Sequence, residues 1–298
     1  MKIAYFDGFS GISGTMILGA LLDAGLELEQ LEGQLAGLDL DGYRLVVDDV
    51  RRNGIRGTHV EVAIEESGVE RHLNDIETII AQSQLPDRVK AQSLSIFRRL
   101  AEAEARVHGE PIDQIHFHEV GALDAIIDVV GSVTGLWLLE VQQVYSSHVH
   151  VGCGTVECAH GTLPLPAPAT AELLRGVPIY GRDIDAELVT PTGAAILTTL
   201  ATGYGSGPAM RVAQIGYGAG TRMLALPNLL RVLIGEPVQM NNGHEPQPHH
   251  SHKHEVKHSH EHEHSHEHGH EHSHEHGHEH THEHEAQAQH THSHQPDH

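Results

Sequence analysis

The chain has 298 residues and a formal net charge of −23, with 18 Lys and Arg against 41 Asp and Glu. So acidic a chain disfavours non-specific nucleic-acid binding and anionic membrane surfaces. Its two cysteines, Cys153 and Cys158, are too few for a disulfide framework and lack CxxC spacing. No apolar run reaches membrane-spanning length and the first residues lack the apolar core of a signal peptide, so a soluble cytoplasmic protein is expected.

In chain order, Ile3 to Phe6 reads as a short buried strand ending at Asp7. Gly8 to Thr15 follows as a loop with Gly8, Gly11 and Gly14, before an apolar helix from Met16 to Ala24. Strand, glycine loop and helix aim backbone N–H groups at an anion, which makes Asp7, Ser10, Gly11, Ser13 and Gly14 candidate substrate contacts. The same spacing serves a tight turn with close helix packing. Tyr43 to Asp48 and Thr58 to Ile64 alternate as strands. Between them, Arg51, Arg52 and Arg56 stand beside Gly54 and Gly57, as an anion clamp or an exposed hairpin loop. Leu73 to Gln82 and Val89 to His108 have helical periodicity, broken at Leu85-Pro86. His72 and His108, at the helix edges, read as structural or solvent-facing.

The densest chemistry of the body runs from Ile115 to Gly131. His116 and His118 project to one face of an extended segment, with Glu119 on the other. After Gly121 the pattern turns helical, and Asp124 and Asp128 share one helix face at i and i+4. Two imidazoles with two carboxylates form an N/O set for nickel, zinc or manganese, in which Asp residues either ligate or orient imidazoles. Ser147 to Gly152 reads as a strand with His148 and His150 on one face. His160 precedes an extended Pro-rich run from Leu163 to Ala169, with a helix from Thr170. Thr190 and Pro191 are an N-cap and first helical residue, so Thr192 lies at a helix start suited to an anion. Gly216 to Arg222 reads as a second glycine-rich loop, and Asn228 to Gly235 as a last strand.

From His258 to His284 every even-numbered residue is histidine, and 23 of the 31 histidines lie between His244 and His298. Imidazoles without thiolates favour nickel, copper and zinc; His258, His260, His262 and His264 are representative ligands. With almost no apolar residues the tail is expected to be disordered when metal-free. Its reach of about 40 Å by linker scaling would keep ions near a site on the body. The expected fold is α/β or α+β, with mixed sheets and covering helices over residues 1–240 and a disordered His-rich tail over 241–298.

Several of these stretches resemble the LarC family of nickel-insertion proteins. They are Asp7 to Gly14, His116 to Gly121 with Asp124 and Asp128, His160-Gly161 with Pro164 to Thr170, Thr190 to Ala194, Gly216 to Gly220, and Asn228 to Val232. The resemblance implies an enzyme that delivers Ni(II) to pyridinium bisthiocarboxylic acid mononucleotide, making the nickel-pincer nucleotide of lactate racemase-type client enzymes. It further implies a chelatase-type lyase dependent on CTP and a divalent cation. The family's C-terminal nucleotide domain is expected to be missing from this chain, which then reads as a truncated or split product served by a separate CTP-binding chain. Thr15 stands where the family carries Asp, a departure at the first loop. Under this reading His116, His118, Asp128 and His160 ligate nickel, and Glu119 or Asp124 takes the ring proton released as the metal–carbon bond forms. The anionic substrate would meet the glycine loops, Arg51, Arg52 and Thr192. The competing class is a nickel store or metallochaperone without catalysis of its own. A zinc hydrolase built on the His116–Asp128 cluster is a third.

Overall fold

A computed structural model describes residues 1–65, 71–115, 123–158 and 160–238. Chain order gives β1 (Lys2–Asp7), α1 (Gly14–Asp23), α2 (Leu28–Leu35), β2 (Tyr43–Arg52), β3 (Ile55–Ile64), α3 (Leu73–Gln82) and α4 (Asp87–His108). Then come α5 (Leu123–Leu138), β4 (Val141–Ser146), β5 (Val149–His150), β6 (Thr155–Cys158), β7 (Gly161–Pro164), α6 (Pro168–Leu173) and β8 (Ile179–Tyr180). The last described elements are α7 (Pro191–Leu200), β9 (Ala201–Tyr204), β10 (Met210–Ala219) and β11 (Leu229–Pro237).

Seven strands form one mixed sheet in the order β2-β3-β10-β11-β1-β4-β9. β1, β4 and β9 are parallel, whereas β11 runs antiparallel to both β1 and β10. Two small pairs, parallel β5–β8 and antiparallel β6–β7, stand apart from it. The expectation of mixed sheets with covering helices therefore holds, and it holds for a physical reason. On β1, Ala4 and Phe6 turn to the helices, while Tyr5 and Asp7 turn to the other face. Helix α4 begins after Pro86 and stops at Gly109, whose φ of +70° ends the helix; it buries Val89, Ser93, Ile96, Phe97 and Leu100 on one stripe. Helix α5 is apolar on nearly every side because α1, α2, α4 and the sheet surround it. Each fully buried side chain such as Phe97 or Ile127 contributes roughly 1.5–3 kcal/mol.

Three expectations are corrected. Gly216 to Ala219 is not a loop but the end of strand β10. A Cβ on Gly218 would collide with the carbonyl oxygen of Met16, and one on Gly216 with that of Ala20. These glycines exist so that α1 can lie directly on the strand. The loop between β2 and β3 shrinks to a two-residue turn, Asn53-Gly54, with φ of +49° and +85°, as a tight hairpin requires. Arg51 and Arg52 thus belong to the strand. Finally, the strand after Ser147 is only Val149–His150: His150 is buried, whereas His148 lies outside it and is exposed. The histidine-rich tail, like His116, His118 and Glu119, lies outside the described residues. No helix among the described residues is long and apolar enough to cross a membrane.

Candidate metal and anion site

The loop after β1 is stitched to the segment before α7. Ile12 N–H donates to Leu188 O at 2.8 Å, and Thr190 N–H donates to Ile12 O at 3.2 Å. Gly11 holds a φ of +88°, and a side chain there would strike the Leu188 carbonyl. Both adjoining helices are capped from within: Met16 N–H donates to Ser13 Oγ at 3.2 Å, and Gly193 N–H to Thr190 Oγ at 3.1 Å. A Cβ on Gly193 would strike Ile12 and Ser13, so the two helix N-termini lie side by side.

Asp128 reaches this junction from α5. It is 9% exposed, lies against Gly14 and accepts from the Thr15 N–H. Burial, and then the charge of Asp124, push its carboxyl well above the usual range, which the Thr15 N–H partly opposes. Asp128 therefore holds the start of α1. Asp124 is exposed and accepts from the Ala125 N–H at 2.9 Å.

Beyond the start of α7 lies a cavity of about 570 Å³. The end of α4 contributes Glu104 and His108, the β6–β7 hairpin contributes Glu157, Cys158 and His160, and Glu187 and Arg222 complete its polar lining. Val107, Leu163 and Pro168 supply apolar wall. The rings of His108 and His160 stand 5.0 Å apart at 48°, and Glu104 Oε2 lies 3.5 Å from His108 Nε2. These are the donor types that borderline divalent metals prefer. Thr190, Pro191 and Thr192, at the N-terminus of α7, face the same space, so partial positive charge from the helix and the Arg222 guanidinium favour an anion beside the imidazoles. Among the described residues, no three His, Cys, Asp or Glu side chains are grouped closely enough to hold a metal ion.

The fold thus brings together His160 and Thr192, expected as a metal ligand and a substrate contact. It sends others elsewhere. Asp7 pairs with Arg231 on the opposite face of the sheet. Ser10 is buried under the loop, and Gly11, Ser13 and Gly14 shape the junction with α7 and α5. Arg51 donates to Gly54 O at 3.1 Å and Arg52 to Gly220 O at 2.9 Å, which secures the hairpin without convergence of the two cations. Glu104, His108, Glu187 and Arg222 were missed by sequence reasoning. The one available signal was Glu104 and His108 at i and i+4 on the last turns of a helix.

Comparison with known proteins places the chain in a family. Residues 4–267 match the family described as Nickel insertion protein. Over 245 residues the chain is 56% identical to the pyridinium-3,5-bisthiocarboxylic acid mononucleotide nickel insertion protein of Desulfitobacterium hafniense (strain DSM 10664 / DCB-2), covering 82% of this chain and 61% of that protein. A protein of the same name from D. hafniense (strain Y51) matches with the same identity and coverage. The chain thus spans about three fifths of the length of these relatives. No solved structure matches it. By the extent of the family match and by these identities, the chain belongs to the nickel insertion protein family.

Proposed function

We propose that this chain delivers Ni(II) to pyridinium-3,5-bisthiocarboxylic acid mononucleotide, as its D. hafniense relatives are named for doing. The observation that carries the reading is the cavity in which His108, His160 and Glu104 stand beside Arg222 and the start of α7. Imidazoles there take up the metal, and the positive end of the helix receives the negative charge of a thiolated carboxylate. In this reading His116 and His118 extend the ligand set, and Asp128 fixes the start of α1. Nickel gains bonds to two sulfurs and one ring carbon, and the proton lost from that carbon passes to Glu119 or Asp124. Under this reading the reaction is a chelatase-type lyase step that consumes CTP with a divalent cation, bound by a portion or partner that supplies the remaining length of the relatives. The product goes to a nickel-pincer client enzyme in the cytoplasm. Residues 1–240 carry the chemistry, and the tail from 241 to 298 (His258, His260, His262 and His264 among its ligands) is the nickel reserve.

The experiment is insertion into the thiolated mononucleotide, with the CTP-binding portion supplied in trans, by the full chain and by a chain lacking residues 244–298. At saturating nickel both should turn over alike, and at limiting nickel the shortened chain should lag. A shortened chain that neither binds nickel nor supports insertion would show a metal store without chemistry of its own.

A further inference from the structure

The two edges of the seven-stranded sheet differ. β9, at one end, has four residues and offers little ladder to pair with. β2, at the other, runs for ten residues and pairs with β3 from Tyr43↔Ile64 to Arg52↔Ile55 without a bulge or a proline. Among the described residues no strand pairs with its outer side. So long and regular an edge is a template for a further strand.

The turn decides which backbone groups face outward. In a two-residue hairpin the flanking pair, here Arg52 and Ile55, exchanges both hydrogen bonds. Counting back along β2, even-numbered residues then bond to β3, and odd-numbered ones turn N–H and C=O to the free edge. Side chains divide by the same parity. Leu45 and Val47 pack with Val60 and Val62 on the helix face, while Arg44, Val46 and Asp48 stand on the other. A second β2 added antiparallel must therefore match odd residues with odd. Centred on Val46, it sets Arg44 against the partner's Asp48, Asp48 against the partner's Arg44, and Leu45 against the partner's Val47. Arg44 and Asp48 are exposed, and neither has an ion-pair partner among the described residues. Other registers serve these charges less well. Centring on Asp48 or Asp49 opposes like charges, and centring on Leu45 or Val47 sets Arg44 against an apolar side chain. Centring on Val50 shortens the overlap and calls on Arg51 and Arg52, already bonded to Gly54 O and Gly220 O.

We propose that the free edge of β2 is an interface for a second copy of this chain, whose β2 adds antiparallel about a two-fold axis at Val46. The two sheets become one, and Arg44 meets the partner's Asp48 at a non-hydrogen-bonded position, where facing side chains lie closest. Sedimentation velocity of the full chain in chelator, which keeps the histidine tails from joining through metal, should show a reversible dimer. Arg44→Asp or Asp48→Arg alone places like charges at both symmetric contacts and should raise the dimer dissociation constant by at least about tenfold. The double exchange Arg44→Asp/Asp48→Arg should restore the dimer, which recovery of fold alone would not explain. Both side chains are exposed, so the variants keep the fold, which circular dichroism will verify. Under mild oxidation Val46→Cys should give a covalent dimer, because facing residues of such a pair lie within disulfide reach, and Val50→Cys should not. The proposal is overturned if the wild-type chain stays monomeric at its highest soluble concentration or if the single reversals leave the dimer unchanged. It is overturned equally if the double exchange fails to restore the dimer or if Val50→Cys links in place of Val46→Cys. Such a failure would leave the nickel reading intact, since that depends on His108 and His160.

Discussion

Replacing His108 and His160 together by alanine is expected to lower the nickel affinity of a chain ending at Asn242 by at least about 100-fold, because even loss of a partner behind a ligand costs roughly 10–100-fold. The rings come from distant parts of the sequence, one from the last turn of α4 and one from the β6–β7 hairpin, yet stand 5.0 Å apart. At that separation small side-chain rotations let both reach one ion. Arg222 and the start of α7 stay in place in the double variant, so binding of the proposed mononucleotide substrate should change much less than binding of metal. Equilibrium dialysis against Ni(II) checks the first effect and substrate titration the second. The tail must be removed, since its 23 histidines would mask the loss of one body site. Retention of wild-type nickel affinity in the double variant would remove these two imidazoles from the ligand set.

Gly218→Val is expected to destabilise the body by more than about 3 kcal/mol, at the upper end of overpacking effects. Helix α1 lies on β10 with the Met16 and Ala20 carbonyls over Gly218 and Gly216, and neither carbonyl can move aside without lifting the helix. Lifting it would uncover Ile17, Leu18 and Leu21, each 0% exposed. The same helix start rests on Asp128 and adjoins α7, so the end of the cavity lined by Thr190 and Thr192 should loosen with it. Urea unfolding followed by far-ultraviolet circular dichroism reads the change. A variant as stable as wild type would mean that the segment is the loop its glycines suggest.

That segment shows where sequence reading fails. Gly216-Tyr217-Gly218-Ala219-Gly220 carries the composition of a loop, and only the approach of α1 makes glycine a strand residue there. β4 and β9 also went unread, because Val141–Ser146 and Ala201–Tyr204 are short and border helices whose periodicity hides them. Much else was legible. Alternation located β2 and β3, a short apolar run located β1, the 3.6-residue stripe and Pro86 bounded α4, and Thr190-Pro191 marked the start of α7. His160 and Thr192 were identified as residue types, but nothing in one dimension showed that they share a cavity, or that His108 joins them. Tertiary convergence of single residues has no local signature. Asp128 shows the converse: its spacing from Asp124 was readable, but its burial over the start of α1 was not.

The central claim is that folded residues, and not the tail alone, grip nickel. Nickel K-edge X-ray absorption on a chain ending at Asn242, loaded with one equivalent of Ni(II), tests it most directly. The account predicts a tightly held ion with imidazole scattering in an N/O shell, diminished when His108 and His160 are replaced. A spectrum of hexaaqua nickel, or one indifferent to both replacements, would contradict it.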